Sequence, residues 1–139
     1  MDRTQQLRQF FAHLVTANAG VQAGSELEAA FASTPREQFV GPPPWKVFTP
    51  RGYIETTSDD PSVLYQDFVV SLGTSAPLNN GQPTLHAYCI NALGLKKGEH
   101  VLLIEIANMP GHAAVITSRG TVEWAYHTDD FRKLSSEEM

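Results

Sequence analysis

Near the start of the chain the apolar side chains Leu7, Phe10, Phe11, Leu14 and Val15 recur at intervals of three and four, with Gln and Arg between them. That period predicts an amphipathic helix from about Arg3 to Asn18, ending ahead of Gly20. Ser25 followed by Glu28 is a capping-box pattern and opens a second, shorter helix through Leu27, Ala30 and Phe31, which Pro35 stops. Together the two helices read as a buttress or lid rather than as catalytic elements. The pattern then breaks. Between Gly41 and Pro61 there are five prolines and two glycines, which argues against regular structure. Trp45, Phe48, Tyr53 and Ile54 are the apolar anchors of this segment, which reads as a wrap around the core or, alternatively, as a substrate lid.

Apolar positions resume at Leu64, Phe68, Val69, Val70 and Leu72, predicting an extended stretch or one strand. Asn79–Gly81 is a turn signal. Pro83 and Thr84 open a third helix, with Thr84 as its cap, running through Ala87, Ile90, Ala92 and Leu93 to a C-terminal Gly94. Residues His100–Ile106 form an apolar run expected to be a central buried strand. Ala113–Thr117 is a second apolar run, Arg119–Gly120 a turn and Thr121–Tyr126 a further strand, with a polar tail after Phe131. The order of elements predicts one α/β domain over residues 1–139, with a helical and wrapping region over 1–78 and a sheet beginning at 79.

Composition narrows the partners. The net charge is −5, and the ten Lys and Arg residues are scattered rather than gathered on one segment. That disfavours nucleic acid or an anionic membrane as the main partner, since both need a concentrated basic face. A single cysteine cannot form an internal disulfide and fits a reducing compartment. No apolar run is long enough to span a bilayer and no signal-peptide core is present, so the chain is expected to be cytoplasmic and soluble.

Chemistry-bearing side chains concentrate between Asn79 and Ile116, where His86, Cys89 and His112 fall. The segments AFASTPREQFVGPPPW (Ala30–Trp45), DDPSVLYQD (Asp59–Asp67) and NNGQPTLHAYC (Asn79–Cys89), with the Gly52–Tyr53 pair, closely resemble the N-terminal region of protein-L-isoaspartate O-methyltransferases. GLKKGEHVL (Gly94–Leu102) is similar to the lead into that family's first sheet strand. The resemblance covers roughly Leu7 to Leu103. It implies a truncated Rossmann-like S-adenosylmethionine (SAM) methyltransferase fold with N-terminal helices and a short parallel sheet. It also implies SAM-dependent carboxyl O-methylation of a small-molecule or peptide carboxylate.

By that resemblance Thr84, and less directly His86, approach the substrate carboxylate. The cofactor side falls on Glu105, Asn108, Gly111 and His127. Of the family's glycine-rich turn after the strand, only Gly111 remains, while Glu105, Ile106, Met109 and Pro110 put bulk where the cofactor needs open backbone. His127 stands where the family has the acidic residue that holds the cofactor ribose. These departures predict impaired SAM binding and leave room for a repurposed SAM-independent enzyme or accessory protein using Thr84, His86 and Cys89.

Other readings of the same residues stay open. Thr84 and His86 suit a helix cap and a helix-face histidine. Cys89, His112 and Asp129 follow the chain order of a thiol hydrolase or acyltransferase triad, against which stands a small buried Cys. His86, His100, His112 and Glu105 lack the spacing of a metal site. A short sheet leaves open edges, which predicts a homo-oligomer joined through Val101–Ile106 or Thr121–Tyr126. An antiparallel meander of the last apolar runs is the competing topology.

Overall fold

A computed structural model describes residues 2–73 and 78–99, together with the backbone of strands within 101–105, 112–117, 120–127 and 130–133. The chain is mixed α and β. It divides into two compact units, Met1–Gly94 and Leu95–Met139. Among the described residues no helix is long and apolar enough to cross a membrane.

The first unit opens with α1 (Arg3–Asn18), whose start is capped by Asp2 accepting from the Gln5 amide at 2.8 Å. Its buried face is Phe11, Ala12, Val15 and Thr16. Phe10 and Leu14, expected from the period to join that face, lie beside it and remain exposed, Phe10 at 64%. The apolar stripe of α1 is wider than the surface its neighbours cover. Helix α2 (Glu26–Ser33) follows, capped by Ser25 as its sequence predicts. The return half of that cap lands one residue early, because Glu28 accepts from the Gly24 amide at 3.0 Å. This bond and the nearby His13 imidazole hold the Glu28 carboxyl below its usual range.

The proline-rich segment is more regular than its composition predicts. Strands β1 (Lys46–Thr49) and β2 (Gly52–Glu55) form an antiparallel hairpin in which Val47 faces Ile54 and Phe48 faces Tyr53. The prolines stand before the hairpin (Pro42–Pro44), in its turn (Pro50) and at the next 3₁₀ turn (Pro61), so no strand position loses an amide. Gly52, at φ +96°, takes the left-handed position of the turn. Of the four expected anchors only Trp45 is buried, at 4%, while Phe48 and Ile54 are more than half exposed. The stretch around Val70 pairs with the other side of β1, through the amides of Phe48 and Ser71.

Three clusters form the core of this unit. Val40, Trp45, Val47, Leu64 and Val70 pack together, Phe11, Val15 and Tyr65 form a second group, and Ala19, Val21 and Ala87 a third. Phe31 touches the last two. Helix α3 (Pro83–Ala92) closes the unit. Gly94, at φ +57°, lies just beyond its end, as the sequence predicts.

The second unit contains β3 (Val101–Glu105), β4 (His112–Thr117), β5 (Gly120–His127) and β6 (Asp130–Lys133), in spatial order β3-β4-β5-β6. All three pairings are antiparallel. This corrects the parallel arrangement implied by the resemblance and agrees with the meander. The connections span only 106–111, 118–119 and 128–129, whereas a parallel crossover needs about a dozen residues or more. β3 is therefore an edge rather than a central strand, and β5 is paired on both sides. Among the described strands an edge-to-edge contact between copies has β3 or β6 to use, but not β5.

Candidate functional site

A cavity of about 220 Å³ lies inside the first unit. Phe11 of α1 and Phe31 of α2 supply one wall, and Pro83 and His86 at the start of α3 contribute to its lining. Val40 adds to the apolar surface, Thr34 lines it with its hydroxyl turned to the Ala30 carbonyl, and Phe39, 67% exposed, is also part of the lining. Arg36, Asn80 and Gly81 are its remaining lining residues. The turn Asn79–Gly81 holds this side in place: the Gly81 amide donates to Asn79 Oδ1 at 2.9 Å, and Asn80 Oδ1 accepts from the Val70 amide at 2.8 Å.

Arg36 is the dominant charge of the cavity. Its guanidinium donates to the backbone carbonyls of Leu64, Gln66 and Phe68. It also lies over the rings of Phe11 and Phe68, at 5.0 and 5.7 Å from their centroids. It makes no ion pair among the described residues. Burial pushes its pKa down to about 10, opposed by the Tyr65 hydroxyl and the Asp67 carboxylate at longer range. It is still a cation at neutral pH. A positive charge against an apolar wall, hydrogen-bonded to backbone carbonyls and with its nearest carboxylate beyond ion-pair distance among the described residues, is a group that gains from a bound anion.

Behind this wall Tyr65 joins Arg8 and Glu37. Arg8 donates to the Tyr65 hydroxyl at 2.8 Å and to Glu37 at 3.1 Å, and Tyr65 donates in turn to Glu37. Burial, and then the bond to Glu37, push the Tyr65 hydroxyl up to about 12. The network ties α1 to the 3₁₀ turns Arg36–Gln38 and Pro61–Leu64, and so fixes the segment from which Arg36 projects.

The start of α3 has a further tie. Asp67 accepts from the Thr84 amide at 2.9 Å and from the Thr84 hydroxyl at 2.6 Å, with Gln82 nearby at 3.4 Å. The cap residue by position is Gln82, which makes no capping bond of its own, and Pro83 takes the first helical position. Thr84 is thus not the cap read from the sequence. A carboxylate from elsewhere in the chain occupies the electropositive helix end.

No family model matches the chain, and no curated protein or solved structure matches it.

The residues singled out in the sequence separate accordingly. His86 lines the cavity, half-buried. Thr84 is held by Asp67 and is not part of the lining. Cys89 is on the same helix but only 2% exposed, as the small buried Cys reading has it. His112 begins β4 in the second unit, and Asp129 lies outside the described residues. Glu105 ends β3 opposite Ala113, and His127 ends β5 opposite Asp130. The antiparallel register therefore brings Glu105, His112 and His127 to the same end of the sheet. Asn108 and Gly111 lie outside the described residues, as does His100.

Arg36 and Asp67 had no assigned role in the sequence. Both lie inside segments that carry the family resemblance, in PREQFV and at the end of DDPSVLYQD. Arg36 follows Pro35 and Asp67 precedes Phe68, and neither setting says what the charge faces.

Proposed function

We propose that the chain is a relative of the protein-L-isoaspartate O-methyltransferases that keeps a carboxylate-recognising substrate side. The lineage's chemistry is SAM-dependent carboxyl O-methylation on a Rossmann-like sheet, with a small-molecule or peptide carboxylate as acceptor. The observation that carries this reading is the cavity beside Gly81, Pro83 and His86, because Gly81–His86 is the stretch the resemblance assigns to the substrate, and a cation lines the same space. Methyl transfer to an ionised carboxylate asks mainly for positioning. A cavity with a fixed Arg and a half-buried His meets that demand without a general base.

The donor side argues the other way. Bulky residues replace the glycines that would face SAM, and the strands after Gly94 pair as a meander. The reading is therefore of carboxylate recognition retained and methyl-donor binding lost. Calorimetric titration of the whole chain with an isoaspartyl peptide, its aspartyl counterpart and SAM tests both halves. The expected result is saturable binding of the isoaspartyl peptide, weaker binding of the aspartyl one, and no saturable heat from SAM. Failure of both peptides to bind sinks the recognition claim. Saturable SAM binding with label transfer to the isoaspartyl peptide would make the chain an intact methyltransferase instead.

A SAM-independent accessory role, acting as a homo-oligomer, is a second reading, favoured by the unpaired edges of β3 and β6 among the described strands. Light scattering at micromolar concentration decides it, a monomer counting against. The thiol triad gains no support from a cysteine as buried as Cys89.

A further inference from the structure

The cavity has a size and a chemistry that together select a ligand. At about 220 Å³ it is smaller than the roughly 300–1,000 Å³ typical of sites for drug-sized molecules. It is larger than the apolar cavity of about 150 Å³ that takes up benzene. Its lining is apolar and aromatic over Phe11, Phe31, Val40 and Pro83. Phe11 and Phe31 already meet edge to face, with centroids 6.3 Å apart, an arrangement that a third ring extends.

The Thr34 hydroxyl donates to the Ala30 carbonyl and the Gly81 amide to Asn79 Oδ1, which leaves Arg36, Asn80 and His86 as the polar side chains of this lining. Arg36 spends its recorded bonds on three backbone carbonyls and has no carboxylate at ion-pair distance among the described residues. The Asn80 amide is oriented by the Val70 N–H, which must meet its oxygen, so Nδ2 is the atom left for a ligand. The competing anion-binding feature, the start of α3, is already filled by Asp67. A ligand carboxylate therefore belongs with Arg36 and Asn80.

We propose that this cavity binds a small aryl carboxylate, with the ring among Phe11, Phe31 and Pro83 and the carboxylate on Arg36 and Asn80. A benzene ring bearing a short carboxylate arm, about ten non-hydrogen atoms, fits the volume. The inference stands on the cavity alone and holds whether or not the chain descends from a methyltransferase.

The test titrates phenylacetate into the full-length protein and follows backbone amide shifts by NMR. The comparison ligands are benzyl alcohol, which keeps the ring without the charge, and 2-phenylethylamine, which reverses the charge. The expected result is saturable binding of phenylacetate with shifts centred on Phe11, Phe31, Arg36, Asn80, Gly81 and His86. Benzyl alcohol should bind about tenfold more weakly or worse, the difference a charge-assisted hydrogen bond makes, and the amine should not compete. Equal affinity for acid and alcohol would overturn the proposal, as would shifts confined to other parts of the chain or no saturation up to about 10 mM.

Because Arg36 also holds backbone carbonyls, Arg36→Met is read only alongside Asn80→Asp, which keeps the oxygen that accepts from the Val70 amide and replaces the donor nitrogen with an acceptor. Weakened phenylacetate binding in the folded Asn80→Asp protein supports the site, and unchanged binding overturns it. Phenylacetate binding without isoaspartyl-peptide binding would uphold this inference while removing the function proposed above.

Discussion

Tyr65 is the residue at which charge, burial and packing meet. Its ring packs edge to face on Phe11 at 5.8 Å, and its hydroxyl stands between Arg8 and Glu37. Tyr65→Phe leaves the ring and removes the hydroxyl, so Arg8 Nε and one Glu37 oxygen lose their partner. The expected cost is about 1–3 kcal/mol at neutral pH, read from urea denaturation midpoints. The pH dependence has a definite sign. In the folded protein the hydroxyl ionises near 12, and in the unfolded chain near 10. The stability it contributes is complete below about pH 10 and fades as the pH climbs through 12. The gap between the parent protein and Tyr65→Phe should therefore narrow over that window. The opposite shift of Arg36, pushed down to about 10, comes first from burial, which is common to both proteins, and only the smaller opposing effect of Tyr65 differs between them. A gap that stays constant to pH 12 would mean that the hydroxyl proton is not what Glu37 holds.

At the scale of elements, the ties that matter most are those that reach furthest along the chain. Asp67 caps α3 from 17 residues away. Asp67→Ala should cost about 1–2 kcal/mol, within the range for loss of an N-terminal helix cap, and Asp67→Asn less, since one oxygen remains to accept. Thermal melts followed by circular dichroism measure both, and equal melting of Asp67→Ala and the parent would remove Asp67 from the capping role.

The same distance explains what was legible in the sequence. The limits of α1 were readable from its apolar period and the glycine that follows it, and the start of α2 because Ser25 acts within three residues of its target. The end of α3 was readable because a glycine stands beyond it. Asp67 was not, since nothing local marks a carboxylate as a partner for a distant helix. Arg36 was hidden for a related reason: its acceptors are backbone carbonyls, which every residue has. The hairpin is not legible in a count of prolines, which discards their positions, because these prolines fall outside the strands rather than in them. Of the candidate site, His86 was visible in the sequence, whereas the cation and the aromatic wall around it emerge only when α1, α2 and α3 are packed.

For the whole molecule, the division at Gly94 makes a prediction of its own. Every member of the three core clusters lies before it, and so does every residue lining the cavity. A chain of this length is well above the roughly 40 residues below which domains need disulfides, metals or partners. The fragment 1–94 should therefore fold alone, melt cooperatively and keep the helical signal of α1, α2 and α3. Its melting temperature should lie within about 5 °C of the corresponding transition in the full chain, since 1 kcal/mol moves a domain of this size by roughly 4–8 °C. Phenylacetate should bind the fragment as it binds the full chain. A fragment that keeps helix but binds hydrophobic dye and melts without a transition would be a molten globule. That outcome would mean that residues 95–139 contribute to the stability of the first unit, and that its core is not sufficient by itself.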